Sequence, residues 1–332
     1  QNATESFTLA GYMPFGVSDL TLLDKGVTSC VYFNKQLAQD YSLGNLYELV
    51  YNNEWVFDKI IELGKKVSQD INGDSVYDQN DIFGLVCDDD PVFMLFNGGG
   101  GRHITKDAEG YPQLSFANEY NFTMIKYYLE SIMYDEALTY NASFNDTIKK
   151  AYDMFADNQG LFLFMYLNTA VRLRNMETDF GILPIPKYQA SQDNYGCAVS
   201  VFGTNLISVP LTSQDLDRTG VILEALSAES RYTVIPAFYD VVLKDKFTRD
   251  VESTDMLDII ISSRVYDVGD FYGLANFPDN FLRITGKASH LTGIQQTSDI
   301  ASFYAKREKA LTKALNDLIK IIDKWHELEE IE

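Results

Sequence analysis

The stretch from Asp157 to Lys187, DNQGLFLFMYLNTAVRLRNMETDFGILPIPK, constrains the fold more than any other. A polar turn, Asp157-Asn158-Gln159-Gly160, opens into an apolar run from Leu161 to Leu167. Asn168-Thr169 breaks that run. Val171, Leu173 and Met176 then alternate with Arg172, Arg174 and Asn175, and Gly181-Ile182-Leu183-Pro184-Ile185-Pro186 closes the stretch. The pattern predicts a buried strand, a loop with exposed polar groups, a short helix, a second strand and a proline stop. Open α/β sheets bind ligands in loops at the C-terminal ends of such strands. An ordinary strand–helix–strand crossover without a ligand fits the same pattern, because a fold carries no function by itself.

Length and composition narrow the choices. A chain of 332 residues, 46% apolar, suits one large domain or two lobes with a substantial core. Its formal charge of −21 argues against nucleic acid and against a polyanionic or anionic-membrane partner, and is compatible with a neutral ligand. Tyr and Phe are abundant, 21 each, enough both to fill a core and to stack on sugar rings. Cys30, Cys87 and Cys197 are widely spaced, so their spacing indicates neither a disulfide framework nor a zinc site. No apolar run approaches the roughly 18 residues that span a bilayer.

Along the chain, Cys30 to Phe33 reads as a strand and about 36–41 as a helix. From Trp55 to Gln69 the period is helical: Val56, Ile60, Leu63 and Val67 face one way, and Lys59, Glu62, Lys65 and Lys66 the other. Ile82 to Val86 reads as a strand, and Phe93 to Phe96 as a short apolar segment. The run Asn97-Gly98-Gly99-Gly100-Gly101 lacks the Lys-Ser/Thr of a phosphate loop. Asp107 to Gly110 makes a hairpin turn. Helices are expected over 119–135, 145–155, 213–229, 254–264 and 298–328. A strand is expected from Cys197 to Pro210, with a hinge at its start.

Asp70 to Asp81, DINGDSVYDQND, has the oxygen spacing of a calcium loop. Asp70, Asn72, Asp74, Asp78 and Asp81 fall at positions one, three, five, nine and twelve, and Val76 can offer its carbonyl at position seven. Ser75 stands where such loops carry Gly, and Asp81 where they carry a bidentate Glu. A solvated turn is the alternative. Calcium bound here would be structural, since no catalytic group is nearby.

Several segments together resemble the extracellular solute-binding proteins of bacterial ABC importers, in the sugar-binding, maltose-binding-protein-like branch. They are Val31–Tyr41 with Asn53–Val67, the Asp70–Leu85 insertion, Arg174–Tyr188, Val221–Asp250 after LISVP, and Met256–Gly269. The resemblance covers nearly the whole chain. It implies an α/β, periplasmic-binding-protein-like type II fold of two lobes joined by a hinge. Residues 28–198 with 270–332 would form the C-terminal lobe, and 199–269 the returning part of the N-terminal lobe. Residues 1–27 would be a remnant of the crossover. Such proteins carry more chain ahead of the VYFNK strand than is found here, so the resemblance also implies an incomplete first lobe.

The function implied is capture of a carbohydrate or oligosaccharide between the lobes and its delivery to a membrane permease. The protein would be a monomer on the outer face of the cell membrane, lipid-anchored as a precursor. Carried over by position, the ligand contacts would be Asn168, Thr169 and Arg172, then Asp89, Asp90 and Phe93, then Tyr195, and finally Tyr239, Tyr266, Asp270 and Tyr272. The metal ligands would be those of the Asp70–Asp81 loop. The rival readings are a glycoside-active enzyme and a calcium-stabilised surface interaction module. No pair of carboxylates in a distinctive apolar frame, Ser-His-Asp arrangement or zinc spacing supports catalysis, so an enzyme is not expected.

Overall fold

The structure, a computed structural model, describes residues 2–88, 91–142, 150–239, 251–276 and 298–329. Its strands are β1 (Ser29–Asn34), β2 (Phe83–Cys87), β3 (Ile104–Lys106), β4 (Pro112–Leu114), β5 (Thr139–Asn141), β6 (Gly160–Tyr166), β7 (Phe180–Leu183), β8 (Cys197–Ala198) and β9 (Arg264–Val265). The main sheet has five strands in the order β5-β2-β6-β1-β7. Strand β2 runs parallel to β5 and β6, whereas β1 is antiparallel to both β6 and β7. The two strands of the Asp157–Lys187 stretch are therefore parallel to each other but not neighbours, because β1 lies between them. Hairpin β3–β4 and the parallel pair β8–β9 stand apart from this sheet.

Burial follows the sequence pattern. All of β1, β2 and β7 is buried, as the helices that cover both sheet faces require. The turn into β6 is held by Asn158 in the left-handed region (φ 59°). Its side-chain oxygen accepts from Asn34 Nδ2 and Thr178 Oγ, both at 2.7 Å, and so ties the turn to the ends of β1 and β7. The helix Phe57–Val67 buries Phe57, Ile60, Leu63 and Val67. On its outer side Glu62 bridges Lys59 (2.6 Å) and Lys66 (2.7 Å). Trp55, fully buried, donates from Nε1 to Pro184 O at 2.7 Å and rests against Phe162. Each such aromatic contributes about 1.5–3 kcal/mol by leaving water.

One contact decides how closely the helix Phe57–Val67 approaches the sheet. A Cβ on Gly84 would lie 2.4 Å from the Gly64 Cα, so helix and strand meet backbone to backbone. The main core gathers Tyr32, Phe33, Phe83, Phe96, Phe116, Tyr128, Phe155 and Phe164. Met256, Leu257 and Ile260 of the helix Val251–Ser262 join the same core.

Some elements differ from the sequence expectation. The strand expected from Cys197 to Pro210 is regular only at Cys197–Ala198; isolated bridges at Val199 and Ile207 continue it. Phe93 to Phe96 belongs to a helix, Pro91–Gly98, that is buried all round, which erases the periodic signal. The short helix after β6 is a 3-10 helix, Leu167–Asn175. The closing helix is split into Ile300–Ala305 and Glu308–Glu329. Of the helix expected over 145–155, the structure describes Ala151–Ala156. No helix among the described residues is long and apolar enough to cross a membrane.

Candidate functional site

The C-terminal ends of the parallel strands β2, β5 and β6 share one edge of the sheet. Because β1 is antiparallel, it starts at this same edge, Ser29 pairing with Tyr166 at the end of β6. The residues just ahead of β1 are thereby placed where open α/β sheets bind ligands. They form a short helix, Leu23–Gly26, with Asp24 and Lys25 buried. Thr28 Oγ donates to Asp24 O (2.9 Å) and Leu167 N–H donates to Thr28 O (3.0 Å), which fixes this turn against the end of β6.

From the far end of the chain, β9 pairs with β8 and delivers Arg264 and Tyr266 to the same place. Arg264 Nη1 donates to Asp24 Oδ2 at 2.8 Å and the Tyr266 hydroxyl donates to that oxygen at 3.1 Å. Lys25 Nζ stands 3.4 Å from Asp24 Oδ1 and 3.2 Å from Asp19 Oδ1. Two cations meet two carboxylates, so the cluster is formally neutral. Burying charges is tolerable only when they are paired and hydrogen-bonded in this way. Burial pushes the Tyr266 phenol above its usual range, partly opposed by Arg264, so it remains a proton donor.

A cavity of about 410 Å³ opens over these groups, lined by Asp19, Asp24, Lys25, Ser262, Arg264 and Tyr266 among others. That volume lies within the range of about 300–1,000 Å³ found for small-molecule sites. Asn168 Cβ and the Phe238 ring lie 3.5 and 3.8 Å from where a Cβ on Gly26 would project, so both border this turn. Tyr239 packs on Phe238, with ring centroids 6.0 Å apart. Burial raises the Tyr239 phenol, and the charges of Arg264, Asp24 and Asp19 act on it too. Carboxylates accept and cations and phenols donate, so the cavity can meet both sides of a hydroxyl group. A larger cavity, about 570 Å³, lies between Tyr12–Ser18, Ile207–Val209 and Leu223. Its lining is mostly apolar, with the Tyr12, Phe15 and Trp325 rings and no charged group.

The expected contact residues disperse. Tyr266 lines the polar cavity, and Asn168 and Tyr239 lie beside it. Thr169 and Phe93 are buried within the main body. Arg172 is exposed and lies 4.9 Å over the Tyr152 ring. Tyr195 lies under Lys187 Nζ (4.7 Å) and donates to Val50 O at 3.5 Å. The Tyr272 hydroxyl donates to Phe7 O at 2.8 Å, with its ring against Phe15. Asp89 and Asp90 lie outside the described residues. Asp19, Asp24, Lys25 and Arg264 escaped sequence reasoning. Only an unusually charged short turn, LDKG, hinted at two of them.

Asp270 belongs to a buried cluster of another kind. Its Oδ1 is 3.0 Å from His103 Nδ1, and Asp267 Oδ1 is 3.6 Å from the same nitrogen. Asp267 also accepts from the backbone N–H of His103 and of Gly269, both at 2.7 Å. Burial alone would depress the imidazole, but Asp270 and Asp267 outweigh it and raise it to about 10. His103 thus stays charged and pins the helix Val268–Phe271 to the β3 hairpin.

In the Asp70–Asp81 loop the carboxylates turn onto backbone. Asp70 accepts from Gly73 N (2.7 Å) and Ser75 N (2.8 Å), and Asp74 accepts from Val76 N (2.8 Å). Asn72 Oδ1 accepts from Asp74 N and Asp78 Oδ1 from Asn80 N. Buried Asp81 accepts from Ile71 N and Asp78 N, both at 2.9 Å. Among the described residues, the carboxylate, imidazole or thiol atoms of three residues converge within 4.8 Å only at His103, Asp267 and Asp270.

Neither a protein-family model nor a curated protein matches the sequence. Solved structures do match the fold. UgpB from Mycobacterium tuberculosis in complex with glycerophosphocholine aligns at 15% identity and TM-score 0.57, over 88% of this chain and 70% of that one. The sugar-binding protein MalE from Xanthomonas citri aligns at 12% identity and TM-score 0.56, over 92% and 71%. The MalE domain from Bdellovibrio bacteriovorus bound to maltotriose aligns at 16% and TM-score 0.51, over 89% and 71%. At these identities the likeness is one of architecture: the chain has the α/β, solute-binding-protein type II fold of these structures.

Proposed function

We propose that the protein is the extracellular solute-binding component of an ABC importer. It would capture a neutral carbohydrate in the cavity over Asp24, Lys25, Arg264 and Tyr266 and deliver it to a membrane permease. The observation that carries this reading is the charge-balanced quartet of Asp19, Asp24, Lys25 and Arg264 with the Tyr266 hydroxyl, at the strand edge where this fold class binds ligands. Such a quartet presents fixed donors and acceptors to hydroxyls without selecting an ion. The acidic chain, −21 overall, also disfavours an anionic solute. The role is binding rather than catalysis. The partners proposed are a sugar and a permease, with the protein monomeric and lipid-anchored outside the cell. Calcium in the Asp70–Asp81 loop is proposed as a structural ion only.

The test is a thermal-shift and calorimetric screen with maltose, maltotriose, laminaribiose and neutral monosaccharides, with glycerophosphocholine as a zwitterionic comparison. A ligand at a hundred times its Kd stabilises by about 2.7 kcal/mol, which such a screen detects. Stabilisation by a sugar that is lost in Asp24→Asn supports the proposal. Stabilisation by glycerophosphocholine alone replaces the sugar with a zwitterion. Binding of a sugar at full affinity by Asp24→Asn and by Tyr266→Phe removes the site.

A further inference from the structure

Cys30 and Cys197 are free thiols, both fully buried and 167 positions apart in the sequence, and they flank one isolated bridge between the segment that leads into β1 and the segment that follows β8. Thr28 and Val199 form an antiparallel bridge. The bond that flanks it runs from Ser200 N–H to Val27 O, 3.0 Å, so Thr28 and Val199 are a non-hydrogen-bonded pair. Two residues further along each strand, in opposite directions, stand Cys30 at the start of β1 and Cys197 at the start of β8. Side chains two apart on a strand point to one face, and paired residues share that face. Continued regularly beyond this isolated bridge, the pairing would put both thiols on the same side at the next non-hydrogen-bonded position. There Cα atoms are about 4.5 Å apart, inside the range of about 4.4–6.8 Å that a disulfide spans.

We infer that Cys30 and Cys197 close a cross-strand disulfide when the chain folds under oxidising conditions. Each thiol gives up its hydrogen and one sulfur–sulfur bond replaces two sulfur–hydrogen bonds. The two electrons reduce the disulfide of an oxidant of the glutathione class to two thiols. Once folded, the pair is sealed. Burial pushes both thiols above their ordinary range, Cys197 adds to the rise at Cys30, and Ser263 Oγ donates to Cys197 Sγ at 3.4 Å. Bond formation thus belongs to folding rather than to the finished molecule. Cys87 is excluded by topology: β6 separates its strand, β2, from β1, which puts the two about 9–10 Å apart at the spacing of sheet strands. The cross-link would fasten the main sheet to β8, and through β8 to β9, which carries Arg264 to the polar cavity.

The experiment refolds the full chain from denaturant in oxidised and reduced glutathione, alkylates it in denaturant without reductant, and maps the peptides by mass spectrometry. The expected result is a protein two hydrogens lighter, with Cys87 alkylated and the Cys30 and Cys197 peptides linked. Its thermal midpoint should stand several degrees above that of the same chain refolded in dithiothreitol. Cys87→Ser should leave the link in place, whereas Cys30→Ser should leave Cys197 open to alkylation. Three alkylated thiols in the oxidatively refolded, folded protein, or a link through Cys87, would overturn the inference. The wild-type peptide map decides the matter even if a serine variant does not fold.

Discussion

Replacing Asp24 by Asn isolates what its charge does at the polar cavity. Asp24 is 2% exposed and takes Arg264 at 2.8 Å and the Tyr266 hydroxyl at 3.1 Å on one oxygen. The amide keeps the shape and one acceptor, but removes the charge between Lys25 and Arg264. Orphaning a buried charge costs about 3–5 kcal/mol. Two features reduce that cost here: Lys25 keeps Asp19 at 3.2 Å, and the Arg264 side chain is 21% exposed and can reach water. We expect a loss of about 2–3 kcal/mol, below that limit and within the roughly 1.5–3 kcal/mol of a charged hydrogen bond. For a chain of this size about 2 °C of Tm follows each kcal/mol, so Tm should fall by about 4–6 °C. Urea denaturation should show a lower midpoint at unchanged slope, and the sugar-induced shift should vanish. An Asn variant as stable as the parent would show that the quartet is solvated rather than buried and would refute the reasoning.

Three further predictions follow from other places in the fold. His103 gains charge-stabilising partners on folding, so its folded value of about 10 lies above its ordinary 6.5. Its contribution is complete below pH 6.5 and is lost as pH rises toward 10; urea midpoints from pH 6 to 10 should decline in the parent and flatten in His103→Gln. Asp81→Ala removes the acceptor of two loop amides and should cost about 1–3 kcal/mol with or without calcium, whereas Asp70→Ala with Asp74→Ala should abolish any chelator-sensitive stability. A Tm unchanged by chelation in the parent would end the calcium proposal. Gly84→Ala drives a methyl into the Gly64 backbone and should cost at least the 1–3 kcal/mol typical of overpacking, measured by denaturant midpoint. A neutral substitution would mean that the helix can lift off the sheet.

Local pattern made much of the fold legible. The apolar run of β6 and the proline stop after β7 are short-range signals, and both strands lie where the sequence places them. The 3.6 period of the helix Phe57–Val67 places its buried face for the same reason. The insertion of antiparallel β1 between β6 and β7 was not legible. Strand pairing depends on long-range register, and a fully buried strand reads alike in either direction. The all-buried helix Pro91–Gly98 shows the same limit from the helical side, since burial on every face leaves no periodicity to read.

The amino-acid sequence by itself determined an acidic chain of α/β pattern, and offered Asn168, Thr169, Arg172, Asp89, Asp90, Phe93, Tyr195, Tyr239, Tyr266, Asp270 and Tyr272 as candidate contacts. Tertiary structure alone decided which of them meet. Asp24 and Arg264 are 240 positions apart and touch because β9 pairs with β8 beside the start of β1. It also assigned Asp270 to an ion pair with His103, where sequence had offered it to a ligand. The physical reason is common to both. A buried charge is settled by whichever opposite charge the fold brings within hydrogen-bonding distance, and that distance has no signature in local sequence.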